Sequence, residues 1–227
     1  SGLRLPFFHD RYADNRAASL IGKYIIEQIL RTSGDPGDLN GAYLASIPPN
    51  DYVRRFRNQL PPKLRGRDFL DHFGQPSELD VVIRPGAVYK VRSRTEHHIY
   101  ENDRTHRFME RLARVRRTGE LDTLIEAGEL MYASHWSYGQ RCGMGSIETD
   151  VLVNCIRERG PACGLYGAKV TGGGCGGTVA VLMADTPTAR QAISDACGAY
   201  AAKTSRQPVL LSGSSPGAVA FGHRSIS

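Results

Sequence analysis

Apolar positions along the chain follow three successive patterns. Over residues 12–31 they recur at three- and four-residue spacing, at Ala17, Leu20, Ile21, Tyr24, Ile25 and Ile29. That is the mark of a helix with one buried stripe. TSGDPGDLNG, rich in Gly and Pro, then breaks the pattern. Two short helical pieces, residues 50–58 and 64–73, are predicted on either side of Pro61 and Pro62. LDVVIRPGAVYKVRSRTEHHIYEN reads as a strand, a Pro-Gly turn and a second extended segment. His97 and His98 would there point to opposite faces.

Helical spacing returns in THRFMERLARVRRTG and ELDTLIEAGELMYASHWSYG. In the second, Leu121, Leu124, Ile125, Gly128, Met131, Tyr132 and His135 share a face. SIETDVLVNCIRERG predicts a further helix. Ser146 is its N-cap, acids fill its first turn, Arg157 and Arg159 its last, and Gly160 ends it. The third pattern is period two: LYGAKVTG and GTVAVLMA are predicted strands. A helix over TPTARQAISDACGAYAAKT, with Ala189, Ala192, Ile193, Ala196 and Tyr200 inward, precedes closing strands in QPVLLSG and GAVAFGH. Helices followed by an antiparallel sheet make the expected class α+β.

Composition changes this picture little. At 227 residues, 41% hydrophobic and 23% charged, the chain is one large globular domain or two small ones. No apolar run approaches the ~18 residues of a membrane span. The opening SGLRLPFFHDRYADNR has no apolar leader core and no initial Met, which suggests a piece of a longer chain. Net charge is +6, gathered in YVRRFRNQLPPKLRGR and RTHRFMERLARVRRTG. These runs suit either an anionic partner or solvated helix faces, since Glu110 and Glu120 sit among them. No nucleic-acid-binding motif accompanies them. The five cysteines form no CxxC pair and no zinc spacing, so free thiols in a reducing cytoplasm and no metal site are expected.

One stretch resists a purely structural account. YGAKVTGGGCGGTVAV places five glycines within residues 172–177, between two strands. Such a hairpin can adopt positive φ, admit a ligand closely and turn consecutive N–H groups toward an anion. A tight turn without a ligand is the competing use. It is neither a Walker A loop nor a dinucleotide fingerprint, because a strand rather than a helix follows.

The form GAKVTGGGCGG resembles the third signature motif of the GHMP kinase superfamily. There a Thr-Gly-rich loop lies beside the nucleotide phosphates and the phosphoryl acceptor. GELMYASHWSYGQRCGMGSIETDVLV is similar to a galactokinase segment with Leu-Met and Ser-His-x-Ser elements. Arg94, His97, Glu101 and Arg104 match a galactokinase Arg-x-x-His-x-x-x-Glu-x-x-Arg spacing, and Tyr12 with Arg16 a Tyr-x-x-x-Arg stretch. HHIYENDR and GSSPGAVAFG look closer to the L-arabinokinase-like branch. The resemblance runs from about residue 12 to the end.

It implies a GHMP-type C-terminal domain, residues 85–227, with a four-stranded antiparallel sheet backed by helices. Residues 1–84 would continue from a missing N-terminal kinase domain and pack partly against it or against a partner chain. The apolar face of the first helix would be covered there. It further implies an ATP-dependent, Mg²⁺-requiring kinase of a monosaccharide, with L-arabinose, galactose and galacturonate all open. Thr171, Gly172, Gly173, Gly174, Gly176 and Gly177 would line the phosphates, and Tyr12 and Arg16 would meet the sugar. The catalytic base and metal ligands would lie upstream, leaving this chain inactive alone. The alternative is a non-catalytic sugar-binding or regulatory module derived from such a kinase.

The residues taken singly leave second uses open. Thr171 could cap a strand, and Tyr12 could be a buried amphipathic contact. Arg16 could hold a carboxylate of another domain. His135 reads first as a hydrogen-bonded core histidine and second as a base. Trp136 reads as core packing or an edge cover, and Cys175 as packing.

Overall fold

A computed structural model describes residues 1–3, 9–33, 43–76, 81–172, 177–213 and 220. Helix α1 (His9–Thr32) leads to a 3₁₀ turn (Leu44–Ser46) and a short helix α2 (Pro49–Asp51) that continues as one π-helical turn (Tyr52–Phe56). β1 (Leu64–Arg65), α3 (Gly66–Phe73) and β2 (Val88–Tyr89) follow. The long helices α4 (Val91–Thr118) and α5 (Leu121–Cys142) come next, then α6 (Ile147–Arg159). A hairpin of β3 (Leu165–Thr171) and β4 (Thr178–Met183) precedes α7 (Pro187–Thr204).

The class is α+β, as expected, with antiparallel strands backed by several helices. The four described strands pair two by two, β1 with β2 and β3 with β4. QPVLLSG, expected as a strand, joins no ladder. Pro208 there lacks an N–H, and Val209, Leu210 and Leu211 are exposed, so the segment has no packed face to hold it. GAVAFGH lies almost wholly outside the described residues.

Two apolar clusters form the interior. The first gathers Ala17, Ala18, Ile21, Ile26 and Leu30 of α1 with Tyr52, Phe56, Leu60, Phe69, Ile83, Val91 and Ile99. The Ala17, Ile21 and Ile26 face of the first helix is therefore covered by this chain's own residues 44–99. The predicted stripe is also rotated: Ala17 and Ile21 are buried, whereas Leu20, Tyr24, Ile25 and Ile29 are only partly so. The second cluster joins Tyr132 of α5 to Leu152, Val153 and Ile156 of α6, to Leu165 and Ala168 of β3, and to α7. There Ala189, Ala192, Ile193, Ala196 and Tyr200 all turn inward, as their spacing predicts.

Between the clusters stand α4 and α5. Of the expected second extended segment Val88–Tyr89 forms β2, but residues 91–100 are the first turns of α4, and His97 and His98 lie ~100° apart on that helix rather than on opposite faces. The helical period was concealed because its buried positions include Thr95, Glu96 and His97, which are polar. The Ser146 cap forms as expected. Its Oγ accepts from the Thr149 N–H at 3.2 Å, and Thr149 Oγ1 accepts from the Ser146 N–H at 3.1 Å. Such a reciprocal cap contributes on the order of 1 kcal/mol.

The second basic run is largely spent on ion pairs, and in the first Arg54 meets Asp51 and Arg57 meets Glu96. Arg104 meets Glu101, Arg107 meets Asp103, Arg111 meets Glu126 and Arg114 meets Glu120. These pairs favour solvated, paired helix faces over a field aimed at nucleic acid. The described cysteines Cys142, Cys155, Cys163 and Cys197 are free thiols. Burial pushes the Cys142 thiol up to about 11, which makes it unreactive. Among the described residues no helix is long and apolar enough to cross a membrane.

Candidate functional site

β3 and β4 pair from Leu165 opposite Met183 to Thr171 opposite Thr178, so the glycine run is the hairpin's connection. Gly172 and Gly177 flank it with φ of +82° and +115°, conformations that side chains beyond glycine rarely adopt. A Cβ at Gly172 would meet nothing within 4 Å, whereas one at Gly177 would lie 3.3 Å from the Leu3 carbonyl oxygen. The β3 end of the loop is thus its open side, and Thr171 is exposed there. Gly173, Gly174 and Gly176, with Cys175, lie outside the described residues.

What holds β3 is its contact with α5, and two further glycines permit it. A Cβ on Gly128 of α5 would stand 1.8 Å from the Tyr166 carbonyl oxygen, and one on Gly167 of β3 would stand 2.5 Å from Gly128 Cα. Helix and strand therefore meet backbone to backbone. Six to seven residues further along α5, two adjacent side chains reach the strand just before the loop. His135 Nδ1 accepts the Val170 N–H at 3.2 Å, and Ser134 Oγ accepts from Lys169 Nζ at 2.6 Å.

Each contact continues into a second layer. His135 Nε2 is 3.2 Å from Asp150 Oδ1 on α6. Burial lowers the His135 pKa against the opposing pull of Asp150, and burial raises that of Asp150. Ser134 donates to Glu101 Oε2 on α4 at 2.5 Å, and Glu101 Oε1 accepts from Arg104 at 2.7 Å. Burial would raise the Glu101 pKa, but Ser134, Arg104, Lys169 and His97 outweigh it and hold the carboxyl below its ordinary value. One turn away along α5, Ser137 Oγ lies 3.1 Å from His97 Nδ1. Burial brings His97 down to about 4, so it is neutral at pH 7. The seam between α4, α5 and β3 is therefore a ladder of buried, mutually satisfied polar groups.

Sequence reasoning singled out these α4 residues only through a spacing match, and missed Lys169, Ser134 and Asp150 as members of the ladder. The usable signal was Ser134-His135-x-Ser137 on one helix, matched by polar residues three and four apart on another. The structure answers the choice for His135 in favour of a hydrogen-bonded, half-buried histidine. Trp136 is not core. It is 56% exposed and lies 5.0 Å over the Arg141 guanidinium, which also faces Tyr100.

The predicted sugar-facing residues sit on other elements. Tyr12 and Arg16 are exposed, one turn apart on α1, where the neighbouring Asp14 pairs with Arg84 at 2.5 Å. α1 packs on α4, and the residues ahead of it reach the β4 end of the loop, where the Ser1 amino group donates to the Gly177 carbonyl at 2.7 Å. For phosphate the loop offers an open glycine flank and an exposed threonine, a combination that suits an anion. Among the described residues no group of three or more His, Cys, Asp or Glu side chains could hold a metal ion.

Comparison with known proteins bears on this geometry. Residues 118–202 match the family described as GHMP kinases C terminal. The chain is 34% identical over 190 residues to L-arabinokinase of Arabidopsis thaliana, covering 81% of this chain and 18% of that protein. It is 34% identical over 92 residues to galactokinase of Thermotoga maritima, covering 40% of this chain and 23% of that one. The chain thus spans less than a quarter of the curated relatives it matches. Lactococcus lactis galactokinase, solved in complex with galactose, has the same fold over 90% of this chain and 41% of its own, at a TM-score of 0.59 and 17% identity.

Proposed function

We propose that this chain, which belongs to the GHMP kinase superfamily, is the C-terminal portion of an ATP-dependent kinase that phosphorylates a monosaccharide hydroxyl. The observation that carries the reading is the identity to L-arabinokinase sustained over 81% of the chain. Residues 85–227 form the GHMP-type C-terminal domain in this reading, and residues 1–84 continue from an N-terminal kinase domain. ATP with Mg²⁺ would supply the transferable phosphoryl group and neutralise part of its charge. This chain supplies positioning. Thr171 and the glycine backbone close on phosphate oxygens without an intervening side chain. Tyr12 and Arg16 turn toward the sugar. The base, the metal ligands and the adenine pocket belong to the N-terminal domain.

The test uses the full-length gene product. ADP release is measured with Mg²⁺ across L-arabinose, galactose and galacturonate. Sugar-dependent release is expected, and Thr171→Ala lowers kcat about tenfold or more by removing a donor at the phosphate wall. Sugar binding without nucleotide binding would favour a regulatory module. A product that shows no sugar binding and no ADP release would overturn the proposal.

A further inference from the structure

The outer edge of β3 ends in a backbone N–H that β4 does not satisfy. Val170 N–H points at α5, one residue before the loop's Thr171, and His135 Nδ1 accepts it. An imidazole nitrogen that accepts must carry no proton, so the neutral ring holds its hydrogen on Nε2. That atom faces Asp150 Oδ1 at 3.2 Å, an acceptor matched to this tautomer. Strand, helix and second helix therefore share one proton arrangement. A protonated imidazole would set an N–H against the Val170 N–H and break the arrangement at the strand.

We propose that His135 is a positioning residue for the glycine loop: as the Nε2–H tautomer selected by Asp150, it caps Val170 and fixes the direction in which β3 delivers Thr171 and Gly172. Three groups face the ring or its strand partner. Asp150 approaches from α6 and Lys169 from β3, and Glu101 of α4 offsets the Lys169 charge at 3.9 Å. The Lys169–Ser134 bond pins the preceding residue of the strand to the preceding residue of the helix, so rotation of the β3 end is blocked twice. As a statement about catalysis the inference rests on the kinase reading; as a statement about the strand it stands by itself.

The experiment is amide hydrogen exchange of peptides spanning residues 165–172 in the full-length product, run beside nucleotide and sugar kinetics. His135→Leu removes the acceptor and leaves Val170 N–H unpaired. Exchange there is expected to rise about tenfold, the equivalent of one lost hydrogen bond. The nucleotide KM is expected to rise several-fold more than the sugar KM. His135→Asn, whose amide oxygen can occupy the Nδ1 position, restores protection and the nucleotide KM. Asp150→Ala, at a half-exposed position that tolerates truncation, raises exchange about threefold and serves should the leucine variant not fold. Unchanged exchange in the leucine and alanine variants would overturn the proposal, as would failure of asparagine to restore it. A product that releases no ADP at all would sink the kinase reading, while the exchange result would still decide the role of His135.

Discussion

The apolar cluster around α1 and the polar seam between α4, α5 and β3 share helix α4 and are held by different physics. In the cluster, Val91 and Ile99 are fully buried among Ile21, Tyr52 and Leu60, and the contribution of each follows from volume removed from water. In the seam, His97, Glu101, Ser134, Ser137 and Lys169 are buried or half-buried, and each gains only because its partner is in place. A cluster of the first kind tolerates exchange of one hydrophobe for another. A seam of the second kind fixes orientation, because a displaced partner leaves an uncompensated polar group. The strand that leads into the glycine loop hangs from the seam.

That contrast is open to attack first at Ile99. Ile99→Ala should cost about 2–5 kcal/mol in denaturant unfolding, with the lost volume setting the amount. Ile99→Val should recover most of it. In the seam a different rule is expected: truncating Glu101 alone strands Arg104 and Lys169, whereas removing Glu101 and Lys169 together costs less than the sum of the two single changes. Additive losses at that pair would dissolve the distinction between the two regions. Gly128→Ala comes next, at about 3 kcal/mol, the upper range for overpacking, because the atom it strikes is the Tyr166 carbonyl rather than a flexible side chain. A stable alanine variant would mean that α5 can move off β3 freely, and the seam would not position the loop.

How much of this could be read from the sequence follows the same division. Helices whose buried faces are apolar were legible as elements: α7 places every predicted inward residue inward, the Ser146 cap and Gly160 terminator stand where expected, and on α1 only the direction of the stripe differs. The start of α4 was not, because Thr95, Glu96 and His97 occupy buried positions that a hydrophobic pattern registers as surface. The glycine loop was recognised as a motif, but Gly128 passed as one member of an apolar face. Its reason for being glycine is a strand 37 residues or more further along the chain, which local pattern does not contain. Asp150 and Lys169 escaped for the same cause. Each acquires its role from a partner on another element. For Tyr12 and Arg16 the spacing match located the residues on α1, and their task remains part of the proposed function.

Acid should separate the two regions next. His97 is buried and neutral with its pKa near 4, and that of His135 is also lowered, both by burial first. The unfolded chain protonates near pH 6.5, so below that value it binds protons that the folded chain refuses. Stability is therefore full above about pH 6.5 and falls as pH descends toward 4. The His97 contribution reaches about 3 kcal/mol at the acid end. Unfolding midpoints between pH 4 and 7.5 read the slope directly. His97→Gln should flatten it, whereas Ile99→Val should shift the whole curve and leave the slope alone. An Ile99→Val curve with altered slope would couple the cluster to the seam's titration.

The smallest effect is expected at the surface, where neither rule applies. Arg190 and Asp185 approach to 2.5 Å, but their side chains are 60% and 95% exposed. Water and salt screen such a pair, and holding two long side chains in register costs entropy. Arg190→Ala should change the unfolding free energy by less than about 0.5 kcal/mol, and less still at high salt. The comparison with Glu101 is direct, since both involve an arginine–carboxylate contact of similar length. If the exposed pair proved as costly to break as the seam, distance alone would govern these contacts. A small effect at Arg190 beside a large one at Glu101 would instead mean that burial and a shared second partner give the seam its hold on the strand before the loop.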